Sequence, residues 1–247
     1  MIIYPDIEIH EGQCVNLKHG SIKAPKRFNI SPLEAAKQFE QAGAEWLHVV
    51  DLDRVFNNGS DNSAAIEEII QKVNIPVQVG GGINSSTVID GWINAGAQRV
   101  VMGTAAVVDQ RLVEEACTNH PDRIVISIDA RNGKAVSNGW KFESAFSAFD
   151  LAKRFERSGA AGIIYTDIDL YDELPESNMA NTTQLAHELS CPVISSGTVR
   201  SIDDVSTLSQ LPNISGAVIG WALFNEKVSL EEVLSVANQK QTVAAFI

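Results

Sequence analysis

Short apolar runs recur along the chain, and each is followed by a segment whose apolar residues repeat at helical spacing. The runs are nearly continuous in Val, Ile and Leu, which is typical of parallel strands covered on both faces. The predicted strands are Ile2–Glu8, Trp46–Asp51, Pro76–Gly80, Arg99–Gly103, Ile124–Asp129, Gly162–Asp167, Pro192–Ser196 and Gly216–Gly220. Eight strands alternating with eight helices in 247 residues predict one α/β domain over residues 1–247, a (β/α)8 TIM barrel.

Helix start signals lie between these strands. Ser31 followed by Pro32, with Glu34 in the first turn, is typical of a helix N-terminus. The other predicted N-caps are Asp61, Ser85, Asp109, Asn178, Ser201 and Ser229.

The chain also repeats itself. Residues 36–53 align without a gap with residues 152–169, at an offset of 116 positions, and eight residues are identical. At the same offset, Gly81 matches Gly197, and Pro76-Val77 matches Pro192-Val193. In the repeat, the first strand corresponds to the fifth, so that Ile7-Glu8 matches Ile128-Asp129. The repeat predicts two homologous (β/α)4 half-barrels related by a pseudo-twofold axis.

The repeat places two acids at matching strand ends. The active site of a (β/α)8 barrel lies at the C-terminal ends of its strands, so Glu8 and Asp129 are expected to face each other across the mouth. Two such acids can act as general base and general acid. One acid at a strand end is more often a solvated cap, but a pair related by internal symmetry favours catalysis.

Glycine-rich turns follow the third, fourth, seventh and eighth strands, again in symmetric pairs. Glycine lets backbone N–H groups approach an anion closely. Two such sites predict a substrate with a phosphate at each end. The candidate phosphate-binding residues are Gly81, Gly82, Gly103 and Thr104 in the first half and Ser196, Gly197, Thr198, Gly220 and Trp221 in the second.

Composition narrows the possible partners. The chain has 19 Lys and Arg against 31 Asp and Glu, a net charge of −12 that disfavours nucleic acid and anionic membranes. It has no apolar stretch long enough to span a bilayer, and its three scattered cysteines form no CxxC motif. The five histidines show no metal-ligand spacing. We expect a cytoplasmic monomer that acts on a small phosphorylated molecule without a metal.

Seven segments in order resemble the ProFAR isomerase family of histidine biosynthesis, whose substrate is a phosphoribosylformimino-aminoimidazole carboxamide ribonucleotide. They are YPDIEIHEGQCV, WLHVVDLD, PVQVGGGI, RVVMGTAAV, SIDARNGK, NGW and YTDID, and they cover essentially the whole chain. The resemblance implies a cofactor-free (β/α)8 enzyme that performs an Amadori rearrangement, an aldose-to-ketose change on a bisphosphorylated aminosugar. Of these segments, YPDIEIHEGQCV contains Glu8, and PVQVGGGI contains the glycine-rich turn of Gly81.

The same resemblance implies roles for three residues. Asp129 matches the second aspartate of the family, and the first aspartate position is occupied by Glu8. By this similarity Glu8 abstracts the ribose C2 proton, and Asp129 protonates the ring oxygen as the furanose opens. Thr166 matches a threonine that contacts the reacting sugar.

Several positions depart from the family pattern. After the sixth strand, Leu170, Tyr171 and Asp172 stand where the family has Arg, Asp and Gly, and Glu173 and Glu176 add negative charge. Further departures are Asn16, Asn84 and Trp221 in place of arginines and Thr198 in place of a glycine. They leave an alternative open: a divergent paralogue with altered or lost catalysis that binds another phosphorylated small molecule. A cyclase-type relative is a third option, which WLHVVDLD and NGW disfavour.

A few other residues have two interpretations each. The basic cluster Lys18, His19, Lys23, Lys26 and Arg27 is either a lid that attracts an anionic substrate or a solvated loop. Trp140 either stacks on a substrate ring or packs against protein. His48 is expected in the core, and His10, just beyond Glu8, is a weak candidate for a hydrogen bond to it.

Overall fold

The computed structural model describes residues 1–18, 21–168 and 175–238, and for Lys18, Ser21 and residues 175–178 it describes the backbone alone. The predictions that concern the side chains of Lys18 and Glu176, and those on His19, Leu170, Tyr171, Asp172 and Glu173, lie outside what is described.

The described residues form twelve strands and eleven helices. The strands are β1 (Ile2–His10), β2 (Gln13–Lys18), β3 (Ser21–Arg27), β4 (Leu47–Asp51), β5 (Val77–Gly80), β6 (Arg99–Met102), β7 (Ile124–Arg131), β8 (Lys134–Ser137), β9 (Phe142–Ser147), β10 (Gly162–Asp167), β11 (Val193–Ser196) and β12 (Ile214–Ile219). The helices are α1 (Pro32–Gln41), α2 (Leu52–Phe56), α3 (Ser63–Lys72), α4 (Ser86–Ala95), α5 (Thr104–Val108), α6 (Gln110–Asn119), α7 (Ala148–Arg157), α8 (Pro175–Glu188), α9 (Ile202–Gln210), α10 (Trp221–Phe224) and α11 (Leu230–Ala237).

Eight strands pair in parallel and close into a barrel. Their order is β1, β4, β5, β6, β7, β10, β11 and β12. The ring closes because β12 pairs with β1, with Ile2 opposite Gly216 and Tyr4 opposite Val218. The predicted (β/α)8 barrel is therefore confirmed.

Each of two opposite barrel strands continues into an antiparallel hairpin. After β1, strands β2 and β3 fold back, with Glu8 opposite Val15. After β7, strands β8 and β9 do the same, with Ala130 opposite Ala135. The expectation that the basic cluster lies in a loop was therefore wrong for Lys23, Lys26 and Arg27, which lie on β3. The two hairpins occupy matching positions in the two halves, as the internal repeat predicts.

Most of the predicted helix starts are confirmed. Ser31 and Ser229 form capping boxes, the side chains of Ser85 and Asp109 accept the expected N–H groups, and Ser201 precedes α9. Two predictions were wrong. Asn62 rather than Asp61 precedes α3, and Asn178 lies inside α8, which begins at Pro175.

The core has an outer and an inner layer. Ile3, Ile7 and Ile9 alternate along β1 and belong to the large outer cluster between strands and helices. The inner cluster fills the lower part of the barrel and consists of Tyr4, Val101, Val125, Ile164, Ile194 and Val218. Because alternate residues of a strand share a face, Asp6 and Glu8 point into the barrel above Tyr4. The described helices include none that is long and apolar enough to cross a membrane.

Candidate active site

A cavity of about 1320 Å³ opens at the C-terminal ends of the barrel strands. Eleven of the twelve residues predicted for the site line it, and Thr198 does not. The eleven are Glu8, Gly81, Gly82, Gly103, Thr104, Asp129, Thr166, Ser196, Gly197, Gly220 and Trp221. The barrel therefore brings the two predicted acids and all four glycine turns to one cavity.

Glu8 lies at the cavity wall where β1 meets β2. Burial raises the pKa of its carboxyl to about 7, and hydrogen bonds from the Asn16 side chain and the Leu17 backbone oppose this shift. The negative charge of Asp129 across the cavity adds to the upward shift. A carboxyl with a pKa near 7 is suited to take up and release a proton at neutral pH.

Asp129 lies at the end of β7 and accepts two hydrogen bonds. Trp140 Nε1 donates to its Oδ2 over 2.7 Å, and the hydroxyl of Thr166, which is opposite it on β10, is the second donor. Burial raises the pKa of the Asp129 carboxyl, and these two donors lower it. Trp140 therefore contacts the catalytic candidate itself, which neither interpretation from the sequence included.

A tight turn between β8 and β9 brings Trp140 to this position. Asn138, Gly139 and Trp140 all have a positive φ, a region that favours glycine and asparagine. Gly139 is required there, because a Cβ atom on it would lie 2.4 Å from the Phe56 ring. The N–H of Asn138 donates to Thr104 Oγ1 over 3.0 Å, so the turn is also joined to the first glycine-rich half of the mouth.

Two side-chain amides, Asn16 and Asn225, form successive hydrogen bonds that start at Glu8. Asn16 is buried and donates to Glu8, and its Oδ1 accepts a hydrogen bond of 3.3 Å from Asn225 Nδ2. Asn225 ends α10 and also bonds the Trp221 carbonyl and the Lys26 ammonium. The sequence marked Asn16 only as a missing arginine, and the structure shows it as a donor to the base.

Asp6 is a further acid that lines the cavity beside Glu8, and the sequence analysis missed it. It lies two residues before Glu8 on the same face of β1, so the alternation of β1 could have identified it. Its Oδ1 is buried and has no hydrogen-bond partner among the described residues. Burial and the charge of Glu8 raise the pKa of Asp6 well above its usual range.

Two predicted glycine positions of the first half have little room. Gly81 has a φ of +102°, and a Cβ atom there would lie 2.3 Å from the Asp51 carbonyl oxygen. Gly82 lies against Arg54, whose Cβ is 2.4 Å from the position of a Cβ on this glycine. The turn therefore presents bare backbone to the cavity at the start of α4, where N–H groups attract anions.

The second half has a similar turn but different side chains. Gly197 has a φ of +76°. Gly81, which matches it in the repeat, has a positive φ as well. Thr198 is buried and its hydroxyl bonds Ser195 Oγ over 2.7 Å, so only its backbone can face a ligand. Trp221, which is 41% exposed, lies at the rim of the cavity.

Three cationic side chains line the cavity within the described ranges: Lys26, Arg54 and Arg200. Of the predicted basic lid, Lys26 reaches the cavity, whereas Lys23 and Arg27 do not line it. Arg27 instead pairs with Glu11 over 2.5 Å.

His10 and His48 each contact a polar side chain. The suggested bond from His10 to Glu8 was wrong, because His10 Nδ1 lies 2.6 Å from Asp53 Oδ1. His48 is buried, as predicted, with its Nδ1 2.9 Å from Gln78 Nε2, and burial lowers its pKa to about 4. In the described part of the chain, no group of three potential metal ligands comes together.

Comparison with known proteins places the chain in a family. A family model described as "Histidine biosynthesis protein" matches residues 2–229. The chain belongs to this family. A relative from Ruegeria pomeroyi is 42% identical over 247 residues, which are 100% of both chains, and is named 1-(5-phosphoribosyl)-5-((5-phosphoribosylamino)methylideneamino) imidazole-4-carboxamide isomerase 2. The same isomerase name, without the final number, is carried by two further relatives, from Rhodospirillum rubrum and Paracoccus denitrificans.

These two relatives also match along nearly their whole length. The Rhodospirillum rubrum protein is 43% identical over 238 residues, 96% of this chain and 99% of its own. The Paracoccus denitrificans protein is 42% identical over 234 residues, 95% of this chain and 98% of its own. The resemblance to the histidine-biosynthesis isomerases is thereby confirmed, and the names of these relatives favour it over the alternative of a different activity.

Proposed function

We propose that the protein is the isomerase that converts ProFAR, an aminoaldose bisphosphate, into the corresponding aminoketose by an Amadori rearrangement. One observation carries the proposal: two acids, Glu8 and Asp129, line one cavity from opposite strands of a closed barrel. The full-length relatives that bear this isomerase name support it.

The reaction begins with an acid step at Asp129. Its protonated carboxyl gives a proton to the ring oxygen of the furanose, the bond between that oxygen and C1 breaks, and C1 becomes doubly bonded to nitrogen. The raised pKa of Asp129 favours the protonated form before this step. The donors Trp140 Nε1 and Thr166 then stabilise the carboxylate that remains.

The second step needs a base on the other side of the sugar. The Glu8 carboxylate removes the C2 proton, and the electron pair forms the C1–C2 double bond of an enolamine. Tautomerisation moves the hydroxyl proton of C2 to C1 and leaves a ketone, so substrate and product are isomers. Proton exchange with solvent then returns Glu8 to its carboxylate and Asp129 to its acid form. With a pKa of about 7, Glu8 is partly ionised at neutral pH, as a base requires.

The ligand class follows from the shape and charge of the mouth. A cavity of about 1320 Å³ accommodates a small bisphosphate, with its ends at the turns of Gly81 and Gly197. The net charge of −12 disfavours nucleic acid as a partner. The side chains of the proposed mechanism all lie in the barrel of one chain, which supports action as a monomer. We place the protein in the cytoplasm. No step of the mechanism calls for a cofactor or metal.

Turnover of ProFAR by the purified protein is the decisive test. We expect ketose product, measured by chromatography, at submicromolar enzyme, and a loss of product with the Glu8→Gln variant. Absence of turnover at micromolar enzyme would overturn the proposal and would favour a paralogue that binds another phosphorylated molecule.

A further inference from the structure

The internal repeat makes the two phosphate turns comparable residue by residue. At the offset of 116, Gly81 matches Gly197 and Asn84 matches Arg200. Both Asn84 and Arg200 line the cavity, so the second turn carries its own guanidinium and the first carries an amide at that position. A cation beside each phosphate adds to the backbone N–H groups of the turn and reduces the cost of placing a dianion in a partly desolvated cleft.

Arg54 supplies a cation beside the first turn, from a different element. It lies on α2, directly after β4, and its Cβ packs against Gly82. The side chain is 28% exposed and lines the cavity. The first half of the mouth therefore has a guanidinium next to its phosphate turn, although it does not lie at the repeat-equivalent position.

Contacts on both sides hold the Arg54 guanidinium. Toward the interior, Nε lies 3.7 Å from the buried Asp51 carboxylate and NH2 donates to Ser63 Oγ over 3.2 Å. Toward the solvent, NH2 lies 3.6 Å from Asp61, which is 48% exposed. The pair with Asp61 is long and solvated, and such surface pairs contribute little free energy.

We propose that Arg54 binds the substrate phosphate at the Gly81–Gly82 turn, and that Asp61 is the counter-ion that this phosphate displaces. The inference rests on the proposed function and deepens it by assigning one arginine to each phosphate, Arg54 to the first turn and Arg200 to the second. A guanidinium suits this role because it can donate two parallel hydrogen bonds to a phosphate. Asp51 and Ser63 keep it oriented during the exchange.

Removal of the guanidinium tests the assignment. We expect Arg54→Ala to raise the KM for ProFAR by about 10- to 100-fold, as for a lost charged hydrogen bond, with a smaller change in kcat. Arg200→Ala is the matched control and should give a loss of similar kind. Two substrate analogues, each lacking one phosphate, separate the sites: the affinity of one should be insensitive to Arg54→Ala and that of the other insensitive to Arg200→Ala.

A gain-of-affinity variant distinguishes binding from a structural role. Asp61→Asn removes the carboxylate that competes with the phosphate for Arg54. In the wild type, Asp61 Oδ1 accepts a hydrogen bond of 3.0 Å from the N–H of Ser63, and the side-chain oxygen of Asn can still accept it. We expect a KM for ProFAR a few-fold lower than in the wild type, and no such gain when Arg54→Ala is also present. If Arg54 only anchors the segment around Asp61, Asp61→Asn will raise the KM or leave it unchanged. Arg54→Ala will then weaken the binding of ProFAR and of both analogues equally. Either result overturns the assignment.

Inorganic phosphate separates failure of this inference from failure of the proposed function. Its binding, measured by calorimetry, requires no turnover. If the wild type does not convert ProFAR but Arg54→Ala still weakens phosphate binding, the isomerase proposal fails and the assignment of Arg54 stands. If the wild type converts ProFAR and Arg54→Ala changes neither KM nor phosphate binding, the assignment fails alone.

Discussion

The two half-barrels use the same architecture to hold their acids and differ in the groups that contact them. In each half, a barrel strand ends in an acid and continues into an antiparallel hairpin that returns to it. Glu8 receives a side-chain amide and a backbone N–H from β2. Asp129 receives an indole N–H from a left-handed turn and a hydroxyl from the next barrel strand.

This difference matches the division of labour between base and acid. The donors to Asp129 stabilise the carboxylate that forms when it gives up its proton. Glu8 has Asp129 across the cavity, and the negative charge of Asp129 favours the protonated form of Glu8 once it has taken the substrate proton. A symmetric fold therefore supports unequal chemistry through neighbours that the repeat does not share.

The largest expected effect comes from removing either acid. Glu8→Gln and Asp129→Asn should each lower kcat by about 1,000-fold, within the range for a lost general acid or base. In the Glu8→Gln variant the C2 proton should no longer exchange with solvent deuterium, as followed by NMR. Glu11→Gln changes a nearby exposed acid and should leave kcat unaltered. A fall of less than tenfold in either acid variant would remove that residue from the mechanism.

A smaller loss of kcat is expected when Trp140, the hydrogen-bond donor to Asp129 in the second half, is replaced. Trp140→Phe keeps an aromatic ring but deletes the 2.7 Å hydrogen bond to Asp129. The carboxylate loses a donor, so its pKa should rise further and kcat should fall by about tenfold or more. Trp46→Phe, at the other end of the barrel, is the control for the loss of an indole. Equal kinetics for the two variants would contradict a role of Trp140 in holding Asp129.

The smallest effect is expected when Asn16, the side-chain donor to Glu8 in the first half, is replaced, and it should appear in the pH profile of kcat. Asn16→Ala removes a group that lowers the pKa of Glu8, so this pKa should rise above its present value of about 7. Activity increases as Glu8 ionises, and the acidic limb of kcat should therefore move upward by about one pH unit or less. Activity at pH 7 should fall a few-fold and recover at higher pH. Asn225→Ala, one step further from Glu8, should shift the limb less.

A loss that is the same at every pH would show that Asn16 acts on the fold rather than on the base. Thermal melting of the Asn16→Ala variant at pH 7 and pH 9 provides the stability control.

The barrel and its two acids were predictable because they rest on patterns local to the sequence. The apolar runs mark the strands, and the repeat pairs Glu8 with Asp129. The groups that adjust these acids were not predictable in the same way. The contact of Trp140 with Asp129 depends on three successive residues with positive φ, and that of Arg54 with Gly82 depends on how α2 packs against the turn that follows β5.

Other features were visible in the sequence but were not interpreted correctly. Asn16 was counted as a lost arginine, since a single sequence does not show which partner a polar side chain finds. The hairpins were missed because their outer strands, β3 and β9, are largely exposed and lack a continuous apolar run. Asp6 had the clearest signal, a polar residue at an inward position of a strand.

The pairing of β1 with β12 has a consequence for how the protein folds. Ile2 lies opposite Gly216, so this contact closes a loop of most of the chain, and closure entropy makes such long-range contacts slow to form. Both acids are held by strands that are close in sequence, because Glu8 lies opposite Val15 on β2 and Val50 on β4, and Asp129 lies opposite Thr166 on β10. The pairing of β1 with β12 instead brings the Gly220 turn beside Asp6, on the side of the cavity that carries Glu8. Closure of the ring therefore joins the second phosphate turn to the base, whose own surroundings are local.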